Sequence, residues 1–154
     1  MTLRDRFNEQ LKEAMKAKDA KRVSTLRMIL AGLKDKDIAA RTETNREGIP
    51  DEDVLGLLAK MIKQREESAA AFESGGRPEL AQAEREEIAI IREFMPKQMS
   101  RDESRAAAQA AISELGAASM KDMGRVMAML KERYAGQMDF AKASATVKEL
   151  LSGK

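Results

Sequence analysis

Leu3, Phe7, Leu11 and Met15 recur every four residues, with Ala14 beside them, and this spacing predicts a first helix with one apolar stripe. Lys18-Asp19 interrupts the pattern. A second helix is expected from near Ala20, burying Val23, Leu26, Ile29, Leu30 and Leu33. Residues 34–47 are polar and without periodicity, so the pattern does not mark where that helix ends. Glu47-Gly48-Ile49-Pro50 is a break, and Pro50 suits the first turn of a third helix. That helix turns Val54, Leu57, Leu58, Met61, Ile62 and Phe72 inward until Ser74-Gly75-Gly76 stops it. Pro78 opens a fourth, with Leu80, Ala83, Ile88, Ile91 and Met95 on its inner side up to Pro96. Four amphipathic helices joined by short turns predict an antiparallel bundle over residues 1–96.

Beyond Pro96 the texture changes. Ser100 stands three residues before Glu103, a capping-box pattern that starts a fifth helix through an Ala-rich stretch closed by Gly116. Ser119 or Asp122 is the expected cap of a sixth helix running to Tyr134, before Ala135-Gly136. Asp139 caps a seventh, which carries Phe140, Ala143, Val147, Leu150 and Leu151 on one face. The fold class is therefore all-α, with a three-helix tail domain over residues 97–154 following the bundle.

Composition narrows the chemistry. The chain has no Cys and no His, which removes disulfides, thiolate nucleophiles, the commonest general base and the commonest metal ligand. Aromatic residues are 3% of the total, whereas Ala and Met supply much of the apolar mass and favour helices. No apolar run approaches the roughly 20 residues that span a bilayer, so no membrane association is expected. The N-terminus reads MTLRDRFNEQ, with charges at once and no apolar signal core, and a cytoplasmic location is expected on that ground.

Net charge is +2, but it is unevenly placed: residues 1–36 carry +5, residues 37–95 carry −6 and residues 96–154 carry +3. Such asymmetry permits an anionic partner without requiring one. On a helix at 100° per residue with Lys121 at 0°, Met123, Val126, Met127, Leu130 and Tyr134 fall between about 140° and 240°, a core stripe. Lys121 and Arg125, at about 0° and 40°, face away from it, and Arg133 and Lys131 flank it at about 120° and 280°. Together with Lys97, and with Lys142 and Lys148 as neighbours, they give the tail a cationic outer surface. No exposed aromatic platform accompanies it, which argues against base-specific reading of single strands.

Catalytic constellations are missing. Ser74-Gly75-Gly76-Arg77-Pro78 is the nearest approach to a phosphate loop, but no Gly-Lys-Ser/Thr follows and Pro78 removes a backbone donor. Asp51, Glu52 and Asp53 sit where a helix N-terminus already favours negative charge. Glu84 and Glu87 are expected to face Lys63 or Arg65 on the neighbouring helix, as registry pairs. No catalytic residue, metal ligand or cofactor site is expected.

Two segments carry a family resemblance. Phe94-Met95-Pro96-Lys97-Gln98-Met99-Ser100 resembles the junction of YqeY-like proteins, and Lys121-Asp122-Met123-Gly124-Arg125-Val126-Met127 resembles that family's helix start. Ala135-Gly136, Asp139 and Val147-Lys148-Glu149-Leu150-Leu151 follow in the family's order. Upstream, Met15-Lys16-Ala17-Lys18-Asp19, Arg22, Leu26-Arg27-Met28-Ile29, Lys63-Gln64-Arg65, Ser68, Phe72 and Gly76-Arg77 are similar too.

The family is similar to the C-terminal part of GatB, a subunit of the glutamine-dependent amidotransferase that corrects mischarged transfer RNA. The resemblance implies an all-α bundle with a three-helix tail and a noncatalytic part related to a carbon–nitrogen ligase with glutamine as amido-N-donor. It implies transfer RNA or another structured RNA as a partner, or amidotransferase and translation proteins, with Lys121 and Arg125 as the contact residues. One departure stands out. Gln137-Met138 replaces the basic and small residues that the family often has after Ala-Gly. The alternative reading is a protein-interaction module with no nucleic-acid role, docking through Met129 and Met138, since methionine adapts readily to partner surfaces.

Overall fold

The computed structural model describes residues 1–41 and 48–153. Among them the chain is all-helical, with seven α-helices, one short 3-10 turn and no strand. It divides into two compact units, Met1–Met95 and Pro96–Lys154.

The first unit holds α1 (Leu3–Lys16), α2 (Ala20–Ala40), α3 (Asp51–Ser74) and α4 (Pro78–Arg92). Thr2 and Asp5 form a reciprocal capping box at the start of α1, and Asp19 accepts the Arg22 amide to start α2. Asp51, in the first turn of α3, also accepts the Leu3 amide at 3.3 Å, tying the start of α3 to the start of α1. Helix α3 packs along α4, α1 along α2, and α2 against both α3 and α4. Phe7, Leu26, Ile29, Val54, Leu58 and Ile91 are fully enclosed between them. Each such side chain contributes about 1.5–3 kcal/mol of burial, which is what holds the helices together. Phe94, just past α4, joins this core edge-on to Phe7 at a centroid distance of 4.9 Å, with the Arg6 guanidinium 5.2 Å from its ring centre.

Two apolar positions expected inside lie outside. Met15 is exposed and Ala14 takes the inner place. A four-residue repeat precesses by about 40° at each step, so by its fourth member the stripe of α1 has rotated off the core face. Leu80 is exposed in the first turn of α4, where Ala81 is buried instead. Phe72 and Leu57 are half-buried.

The polar tract beginning at residue 34 stays helical as far as Ala40. Its continuation at 42–47, including Glu47 of the expected break, lies outside the described residues. Polarity here does not end the helix because Asp37 is used internally. Its carboxylate receives both terminal nitrogens of Arg4 and the Ile49 amide, the latter at 2.9 Å, and Arg4 Nη2 also donates to the Ile49 carbonyl at 2.6 Å. Arg65 and Glu87 form the expected registry pair across α3 and α4, Nε to Oε2 at 2.9 Å, and Lys21 of α2 approaches the same carboxylate at 3.6 Å.

The second unit holds α5 (Arg101–Leu115), a 3-10 turn at Met120–Asp122, α6 (Met123–Arg133) and α7 (Phe140–Leu151). Each of its α-helices packs against the other two. Ala107, Ala108 and Ala111 of α5 meet Val126 and Leu130 of α6 and Ala143 and Val147 of α7. Small residues on two of three helices let the backbones approach closely, and they leave space that one flexible side chain fills: Met138, only 6% exposed.

Candidate nucleic-acid interface in the second unit

Helix α6 is amphipathic because its apolar residues recur at helical spacing, and the structure buries Val126 and Leu130 on one side. Lys121 and Arg125 are exposed, as are Lys131, Arg133 and Lys97. Both expected caps are used, Ser119 ahead of a 3-10 turn and Asp122 ahead of α6. Lys121 belongs to the 3-10 turn, and α6 proper begins two residues later at Met123. The cause is Asp122, whose carboxylate turns back to accept the Ala118 amide at 3.0 Å and the Ser119 amide at 3.4 Å, tightening the entry.

The same carboxylate accepts Arg125 Nη2 at 2.6 Å. The Ala118 amide first, and the Arg125 guanidinium after it, hold the Asp122 carboxyl below its usual range. Arg133 is paired with Glu114 of α5, and that carboxylate raises its pKa. Arg125 and Arg133 are therefore exposed but already engaged. Lys97, Lys121 and Lys131 make no ion pair with any described residue and carry the uncommitted charge. The place of Met138 in the methionine docking patch is corrected, because Met138 is a core residue, whereas Met129 is half-buried at the edge of the same core.

Sequence reasoning did not find the groove between α5 and α7. Gln98 donates through Nε2 to the Gly136 carbonyl at 2.5 Å, and the Met99 amide donates to the Gln137 carbonyl at 2.8 Å. These bonds bring the segment before α5 against the turn before α7, so both helices begin from one rim. Gly136 makes the turn with φ at +76°, a conformation natural to glycine. Along the groove stand Arg101 and Ser104 of α5, with Gln137, Asp139, Lys142 and Glu149. The signal in the sequence was that Pro96–Ser100 and Ala135-Gly136 with Asp139, which meet here, both resemble the family.

Two of the stretches that resemble YqeY-like proteins, the one before α5 and the Ala135-Gly136 turn, thus meet in space. The YqeY family model, described as "Yqey-like protein", matches residues 4–151. The chain belongs to this family. Relatives of this YqeY-like chain include "Altered inheritance of mitochondria protein 41, mitochondrial" from three organisms. The protein from Lachancea thermotolerans is 37% identical over 90 residues, 58% of this chain and 46% of the relative. That from Eremothecium gossypii is 33% identical over 58% of this chain and 46% of its own length. That from Clavispora lusitaniae is 35% identical over 55% and 46%. The match thus spans a little under half the length of these relatives.

Their names point to mitochondria rather than cytoplasm, which overturns the cytoplasmic expectation. That expectation rested on the lack of an apolar signal core. An apolar core marks secretory signals, whereas mitochondrial targeting segments are amphipathic and basic, so its lack does not bear on them. Among the described residues, no helix is long and apolar enough to cross a membrane.

Proposed function

We propose that this YqeY-like protein is a noncatalytic module that contacts transfer RNA or another structured RNA through its second unit. In this reading α1–α4 form an antiparallel four-helix bundle that serves as support, and α5–α7 form the binding tail. The observation that carries it is the placement of Lys121 and Arg125, both exposed one helical turn apart, on the segment whose opposite side supplies Val126 and Leu130 to the core. An exposed cation whose helix is fixed by packing can meet a phosphate without rearranging the fold. The Arg125–Asp122 pair is exposed and local, so a phosphate can displace the carboxylate. Lys97 and Lys131 add charge for the several phosphates that shape-based RNA contact requires.

Participation in amidotransfer alongside an amidotransferase or translation protein accompanies this reading through the family resemblance, with the chain acting as an adaptor. Crosslinking in cells followed by sequencing of bound RNA tests the function. Enrichment of transfer RNA, abolished in the Lys121→Ala, Arg125→Ala double variant, is the expected result. Recovery of proteins alone, with no RNA above background, would overturn it.

A further inference from the structure

We propose that the chain bends between its two units at one place, a hinge made of Pro96 and Lys97 and gripped on both sides. The inference stands apart from the RNA-contact reading, since it rests only on the residues that flank the unit boundary at Met95 and Pro96.

On the side of the first unit the chain is held past the end of α4. The Glu93 carboxylate accepts both terminal nitrogens of Arg22, at 2.6 and 3.2 Å, and Arg22 donates to Gln10 as well, at 2.8 Å. Phe94 follows, only 3% exposed, edge-on to Phe7 and with the Arg6 guanidinium over its ring. Arg6 also donates to the Glu93 carbonyl at 3.4 Å. An aromatic ring that is buried and faced by a cation anchors the chain through both contacts. The Phe94 and Met95 amides then donate to the Ile91 and Arg92 carbonyls at 3.1 and 3.0 Å, and Met95 packs against the same core.

On the side of the second unit the grip begins at Gln98. Its Nε2 donates to the Gly136 carbonyl at 2.5 Å, the Met99 amide to the Gln137 carbonyl at 2.8 Å, and the Ser100 amide to Glu103 at 3.0 Å. Three successive residues are thus tied into the second unit.

Pro96 and Lys97 stand between the grips, both exposed. Proline has no amide to donate, and the Lys97 amide makes no hydrogen bond with any described residue. The Pro96 carbonyl accepts a second bond from Gln98 at 3.1 Å, but that bond is local and exposed, so water can replace it. Because the ring fixes φ of Pro96, the soft torsions left are ψ of Pro96 and φ and ψ of Lys97. A few residues that absorb such changes are what a hinge requires, whereas a long flexible linker lets its ends wander. The second unit can therefore turn about this pivot with both grips intact.

Backbone 15N relaxation of the whole chain tests the hinge. The heteronuclear NOE should fall at Lys97, while Glu93–Met95 and Met99–Ser100 keep the values of the helices. Arg6→Ala with Arg22→Ala should extend the low values back to Glu93, and Gln98→Ala should extend them forward to Met99. A second measurement uses spin labels at Lys12→Cys and Lys148→Cys, the chain having no Cys of its own. Their distance distribution should broaden when two glycines are inserted after Lys97. Helix-like values at Lys97 in the wild type would overturn the hinge. Low values running unbroken from Glu93 to Met99, or a wild-type distribution as broad as that of the insertion, would make the segment a leash and overturn it too. A wild-type profile in the Arg6, Arg22 variant would overturn the grip assigned to those arginines.

Discussion

The Met99 amide donates to the Gln137 carbonyl at 2.8 Å, joining two stretches of the second unit that lie 38 residues apart in the chain. One stretch leads into α5 and the other into α7. This bond fixes where both helices start and sets the width of the groove between them. The turn that presents Gln137 depends on Gly136, whose φ of +76° costs an L-residue about 1–2 kcal/mol. Gly136→Ala should therefore destabilise the second unit by about that amount, and the amide of Met99 should exchange with solvent faster. Hydrogen exchange read by mass spectrometry on residues 97–100 checks it, and unchanged protection there would count against the coupling.

Leu130 has no exposed surface and touches the alanine-rich face of α5. Three alanines cannot expand to refill the space of a missing side chain. Leu130→Ala should cost about 2–5 kcal/mol, measured by urea denaturation followed by circular dichroism. In a unit of this size that is enough to unfold much of it at ambient temperature.

Gly48 sits against the Arg4–Asp37 pair with φ at +95°. A Cβ there would lie 2.7 Å from Arg4 Nη2 and from Asp37 Oδ1. Gly48→Ala should destabilise the first unit by about 1–3 kcal/mol, through backbone strain and a loosened ion pair. A thermal-unfolding midpoint unaffected by the substitution would contradict that packing.

Arg4 first, and the Ile49 amide in addition, hold the Asp37 carboxyl below its usual range. A depressed carboxyl favours the folded state at every pH above its unfolded value near 4, and that contribution is lost as pH falls through the lower folded value. Asp37→Asn should remove this part of the acid sensitivity. It should also cost about 1–3 kcal/mol at neutral pH, because Arg4 loses its charged partner. Urea midpoints from pH 7 down to pH 2, for wild type and variant, should converge at the acid end.

Much of the helical plan was legible because it depends on local rules. The Ser100 and Asp139 caps, the Pro78 start and the Gly116 stop each act over a few residues, and each is found where the pattern put it. The extension of α2 to Ala40 was not legible, since its justification lies in Arg4, some 33 residues away. Met15 and Leu80 show the limit of apolarity as a guide, because a stripe rotates and a helix end is open. The exposed cations were visible in the sequence, but their engagement was not. Asp122 holds Arg125 within one turn, whereas Glu114 reaches Arg133 from another helix. The groove was hidden for the same reason, since its two sides come from opposite ends of the tail. Met138 was misplaced because methionine suits a docking face and an irregular core equally.

The most direct measurement for the account as a whole is the salt dependence of transfer RNA binding by the intact chain, by fluorescence anisotropy, with and without Lys121→Ala and Arg125→Ala. Wild type should bind at low salt with affinity falling linearly on a log–log plot, and the double variant should show a slope smaller by about 2. Undetectable binding at low salt, or identical slopes for the two proteins, would contradict it.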